Sequence, residues 1–200
     1  MIKQLNKDLY DAVEKMLQGL CYWMGYRLEC YAGHTITEGA TVEIAVGILN
    51  AHLDHHTFVV KCEYPYKKID LRKNKERADI VILEKRKDHK GHNDLIPICV
   101  LEFKMATDAN GGVWEDVKKL ATLPKNLCRL AVLLANGNPS IVNDFILFEK
   151  NDGGVLKERI KRSIDSKRNK NKVPVRVIRS TKAMETASSK NPFRAICIEL

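Results

Sequence analysis

The chain has 200 residues, with 34 Lys+Arg against 25 Asp+Glu, a formal charge of +9, 44% apolar and 30% charged residues. That length suits one domain with a sizeable core, and that composition excludes a disordered chain. No stretch approaches the roughly 18 apolar residues of a membrane span, and the opening MIKQLNKDLYDAVEKM lacks the apolar centre of a signal peptide, so a soluble, cytoplasmic protein is expected.

In residues 3–24, Leu5, Leu9, Val13, Met16, Leu17 and Leu20 recur at helical spacing, which predicts a helix interrupted at Gly25. Residues 38–53 predict a second, well-buried helix with Val42, Val46, Leu49 and Leu53 on one stripe and Thr37 or Thr41 as its cap. The signal then turns strand-like at Thr57–Glu63, Ala78–Leu83 and Ile96–Met105. A helix follows over Gly112–Leu123, with Val113, Val117, Leu120 and Leu123 as its apolar face, then strands at Cys128–Leu134 and Phe145–Phe148. Val155–Arg168 reads as a narrow amphipathic helix, and Val175–Ile178 and Ala195–Ile198 as a terminal strand pair. Strands bounded by turns, then strand–helix–strand, predict an α/β domain with a central mixed β-sheet flanked by α-helices. A single domain over 1–200 is expected, with a core at about 38–150 and a basic extension at 151–200.

The charge is uneven: net −3 over residues 1–60, +4 over 61–104, zero over 105–150 and +8 over 151–200. Two basic blocks favour a polyanion, although lysines that merely keep a small protein soluble give the same count. Cys21, Cys30, Cys62, Cys99, Cys128 and Cys197 form no CxxC pair; Cys62, Cys99, Cys128 and Cys197 lie in apolar runs, and reduced thiols are expected.

The most informative residues are Asp79 in RADIVIL and Glu102 with Lys104 in VLEFKM. Glu102 and Lys104 are two apart, so on a strand they share a face, about 6.6 Å apart along the chain. The opposite face, Cys99, Leu101, Phe103 and Met105, is apolar. Three charges on two otherwise apolar strands are costly unless they serve one polar site; a surface Glu–Lys pair at a strand end is the plainer alternative. Two such carboxylates can hold a hard divalent cation, with a lysine beside them for water or phosphate.

This order of elements resembles the PD-(D/E)xK nuclease superfamily, the restriction-endonuclease-like fold, over roughly residues 38–135, with Asp79, Glu102 and Lys104 as the motif residues. Ala78 stands where many members have proline. The resemblance implies that Asp79 and Glu102 bind Mg²⁺, with Mn²⁺ able to substitute, and that Lys104 assists the water attacking a phosphodiester. It also implies an acid on the preceding helix: Glu43 is the leading candidate to complete the metal site, and Glu38 the alternative. Glu63 is either a residue supporting the site or an edge charge, and Asp116 and Lys119, near Trp114, either face the site or pair with each other on the helix.

His52, His55 and His56 lack a partner pair at zinc-site spacing, and His89 and His92 fall in a polar stretch read as a loop. In the tail, Lys157, Lys161, Arg162, Lys167, Arg168, Lys170 and Lys172 are candidates for phosphate contacts, against the alternative of a solvated helix face. The expectation is a metal-dependent DNA endonuclease, with DNA favoured over RNA and restriction or phage defence as the setting suggested by analogy. A module of the same fold that binds nucleic acid or a partner without cutting is the alternative; retention of all three motif residues favours the enzyme. A homodimer and a nicking monomer are both compatible with the sequence.

Overall fold

The computed structural model describes residues 7–30, 36–70, 76–87, 93–106, 111–136, 176–182 and 193–200. Expectations at Phe145–Phe148, Val155–Arg168, His89, His92 and the seven tail cations fall outside them.

Helix α1 (Lys7–Cys30) buries Leu9, Val13, Met16, Leu17, Leu20 and Met24 along one stripe. It runs through Gly25 rather than stopping there. A mid-helix glycine costs about 1 kcal/mol, which core packing of the preceding turns outweighs. Beyond it, Arg27 lies over the Trp23 ring at 5.6 Å, one turn back on the same face. Helix α2 (Glu38–His52) crosses closely at Gly19, where a Cβ would stand 2.6 Å from Ile48 Cδ1.

Thr37, not Thr41, caps α2: its Oγ1 accepts from the Ala40 N–H at 3.2 Å, while the Thr41 hydroxyl donates to the Glu38 carbonyl at 2.6 Å. Thr37→Ala is expected to cost about 1 kcal/mol, read as a lower midpoint in urea unfolding at unchanged m-value. The buried stripe is Thr41, Ala45 and Leu49, with Val42 and Val46 only partly buried. The helix is therefore turned about one position from the predicted stripe.

Among the described residues six strands form one mixed sheet in the order β1-β2-β3-β4-β6-β5. They are β1 (Phe58–Pro65), β2 (Arg77–Lys87), β3 (Asn93–Ala106), β4 (Cys128–Asn136), β5 (Arg176–Lys182) and β6 (Phe193–Glu199). Only β3 and β4 are parallel, and helix α3 (Gly111–Ala121) makes the crossover a parallel pair requires. Strands β2 and β3 continue to Lys87 and from Asn93, so both ends of the stretch read as a loop are antiparallel ladder, and residues 88–92 lie outside the described residues. The terminal pair β5–β6 joins the main sheet through β4.

Alternation sorts the strand residues between two cores. Ile80, Ile82, Cys99, Leu101, Phe103, Leu130, Val132 and Cys197 pack with α1 and α2. Val81, Leu83, Val100, Ala131, Leu133 and Ile196 pack with Val113, Val117 and Leu120 of α3. The domain is α/β, and its core is wider than residues 38–150, because α1 and β6 contribute to it directly. Cys21, Cys99, Cys128 and Cys197 are buried free thiols, but Cys62 is exposed on edge strand β1. No helix among the described residues is long and apolar enough to cross a membrane.

Candidate active site

The site lies where the sheet opens around Asp79. The β1–β2 ladder pairs Cys62 with Ile80 and then Tyr64 with Ala78, while the β2–β3 ladder ends at Ile80 with Leu101. Asp79 thus lacks a ladder partner on either side. On the β1 side the opposite residue, Glu63, takes a left-handed φ of 49°, a conformation that non-glycine residues adopt at a cost. On the β3 side the Asp79 carboxylate stands in for the strand: its Oδ2 accepts from the Phe103 N–H at 2.7 Å. Strand β3 continues beside β4 to Ala106, beyond the last β2–β3 pair at Ile80 and Leu101.

Glu102 and Lys104 project from β3 on the face that carries Val100, toward α3. Glu102 is only 3% exposed. Its Oε1 accepts from the Tyr66 hydroxyl and pairs with Lys119 Nζ at 3.1 Å. Tyr66 is fully buried at the head of a 3-10 turn, Tyr66–Lys68, that follows β1. Lys119 Nζ also lies over the Tyr66 ring, 5.1 Å from its centroid. Burial, reinforced by the Asp79 charge, pushes the Glu102 carboxyl up to about 8, against the lowering effects of Tyr66 and Lys119. Burial and the same carboxylate push the Tyr66 phenol far above its ordinary range.

Lys104 has different partners. Its Nζ lies 3.2 Å from Glu38 Oε2 and 3.8 Å from Asp116 Oδ2. Burial draws its pKa down, but the Glu38 hydrogen bond and charge, with Asp116 and Asp79, overcome this and leave it above the ordinary lysine value. Burial also raises Asp116, partly offset by Lys104 and Lys119.

The three motif residues therefore come together. Of the two helix acids, Glu38 reaches the cluster, whereas Glu43 lies on the exposed face of α2. The reason is helical register: Glu38 falls on the stripe of Thr41, Ala45 and Leu49 at spacings of three, seven and eleven, and Glu43 is about half a turn away. Asp116 and Lys119 both reach across to β3. The Glu63 side chain is exposed, and its carbonyl accepts from Arg77 Nη1 at 2.9 Å. Tyr66 is the residue that sequence reasoning missed.

Asp79, Glu102, Glu38 and Asp116 supply four carboxyl groups against the two ammonium groups of Lys104 and Lys119. Fully ionised, the cluster is short of positive charge by the amount one divalent cation brings. Among the described residues no three Asp, Glu, His or Cys side chains form a metal cage. Mg²⁺ does not need one, since one or two carboxylates with waters and a substrate phosphate suffice. Asp79 and Glu102, hard oxygen donors close enough for the charge of one to act on the other, fit that mode. No family model, no curated protein and no solved structure matches the chain.

Proposed function

We propose that the chain is a metal-dependent phosphodiester hydrolase, a DNA endonuclease built on a restriction-endonuclease-like core. The observation that carries this reading is the buried Glu102, within reach of the Asp79 charge and two residues from Lys104, where the β2–β3 ladder ends. A core acid raised to about 8 is poorly placed as a purely structural ion pair.

In this reading Asp79 and Glu102 hold Mg²⁺, which when bound lowers the pKa of water and offsets charge on phosphoryl oxygens. Glu102 is oriented by the Tyr66 hydroxyl, and Asp79 is fixed by the Phe103 amide. Lys104, kept charged by Glu38 and Asp116, is a hydrogen-bond donor and not a base. Its ammonium orients the attacking water and stabilises the phosphoryl charge as the P–O bond to water forms and the bond to the leaving oxygen breaks.

The test is incubation of purified protein with plasmid, single-stranded DNA and RNA in Mg²⁺, Mn²⁺ or EDTA. Cation-dependent nicking of DNA is expected, and Lys104→Ala should lower its rate on the order of 10²-fold. Equal nicking by the parent and Lys104→Ala overturns the assignment, and salt-sensitive binding without cleavage assigns a binding role instead.

A further inference from the structure

The two lysines of the site are not equivalent. Lys104 is held between Glu38 and Asp116, both partly exposed, whereas Lys119 meets the buried acid of this cluster, Glu102. Lys119 reaches Glu102 from α3, whose Val117 and Leu120 are buried on either side of it in sequence and fix the helix against the sheet. The Lys119 side chain is 21% exposed, so it lies at the boundary between the buried carboxylate and solvent. Its second support is the face of Tyr66, a contact that stabilises a cation without neutralising it. An ammonium 3.1 Å from Glu102 Oε1 stands where a divalent cation on that carboxylate would exert its strongest repulsion.

We infer that Lys119 is an exchangeable counter-ion, pairing with Glu102 whenever that carboxyl is ionised in the metal-free protein and passing to a substrate phosphate when a divalent cation takes over the carboxylate. The inference rests on the hydrolase reading for the identity of the cation and the phosphate. The geometry gives it a definite sign. A lysine that merely props Glu102 in place would help metal binding, and its loss would weaken it. A lysine that competes for Glu102 opposes metal binding, and its loss strengthens it. Once displaced, the ammonium remains beside the site on a long flexible stem, suited to a phosphate oxygen as a point charge.

Titration calorimetry with Mn²⁺ alone, without nucleic acid, on the parent, Lys119→Met and a Lys118→Met control tests this. Lys118 pairs with Glu115 on the outer face of α3 and carries the same charge one residue away. Lys119→Met is expected to bind Mn²⁺ about tenfold more tightly, with Lys118→Met close to the parent. In Ca²⁺, Lys119→Met should bind a labelled DNA duplex severalfold more weakly than the parent. Unchanged or weaker Mn²⁺ binding by Lys119→Met overturns the exchange even if the protein cleaves DNA. Tighter Mn²⁺ binding with unchanged DNA affinity overturns the transfer to phosphate. Tighter Mn²⁺ binding in a protein that cleaves nothing keeps the counter-ion exchange and sinks the hydrolase. Absence of Mn²⁺ binding in all three proteins overturns both readings together.

Discussion

Asp79→Ala should reduce Mg²⁺-dependent cleavage on the order of 10³-fold, equivalent to about 4 kcal/mol of transition-state stabilisation. The same substitution should also destabilise the fold, because the Asp79 carboxylate is the acceptor for the Phe103 N–H at the ladder break. Leaving a buried amide without an acceptor costs roughly 1–3 kcal/mol. Asp79→Asn separates the two roles, since its amide oxygen can still accept from Phe103 while the charge is gone. It is expected to unfold near the parent midpoint yet cleave as poorly as Asp79→Ala. Full cleavage by Asp79→Asn would remove Asp79 from the metal site.

The second large effect is a pH dependence set by Glu102. Its carboxyl is raised from 4.5 to about 8 in the folded protein, so between those values the folded chain binds more protons than the unfolded one. Stability then falls as pH rises through that window, is fully present below about 4.5, and is lost by about 8. The raise corresponds to a few kcal/mol at full ionisation, at about 1.4 kcal/mol per unit. Denaturant midpoints of the metal-free protein should therefore decline from pH 5 to pH 8, and added Mg²⁺ should flatten the decline by favouring the ionised acid. Glu102→Gln, neutral at every pH, should abolish both the slope and the Mg²⁺ effect while leaving no cleavage. A slope that survives in Glu102→Gln would assign it to other groups.

Much of this arrangement is legible in the sequence, for identifiable physical reasons. The period-two alternation of CVLEFKM places Cys99, Leu101 and Phe103 against α1 and α2, and puts Glu102 and Lys104 on the other face. A one-residue slip would bury the wrong set, so such a strand announces its own orientation. Helix α2 is apolar nearly all round, with Val42, Ile44, Val46 and Ile48 all partly buried, so its pattern fits more than one register and favours Glu43 over Glu38. Gly25 reads as a stop because propensity is local, whereas the packing of Leu20 and Met24 that carries α1 past it is not. Tyr66 gives no signal in the sequence because an aromatic in YPY reads as core; the residue is core, while its hydroxyl reaches Glu102 and its ring face Lys119. Asp116 and Lys119 suggested a helix-surface pair from their spacing alone, and only the α3 crossover reveals that both lean over β3.

The hydrogen bond from Phe103 to Asp79 joins a main-chain amide of the central strand directly to a metal-binding candidate. Any event that changes the charge on that carboxylate, whether cation capture or protonation, changes the electron density at one backbone nitrogen. The amide resonance of Phe103 is therefore a built-in spectroscopic probe, sensitive to what binds Asp79 and requiring no label at the site itself. Its neighbour Leu101, paired with Ile80 in ordinary ladder geometry, supplies the internal reference.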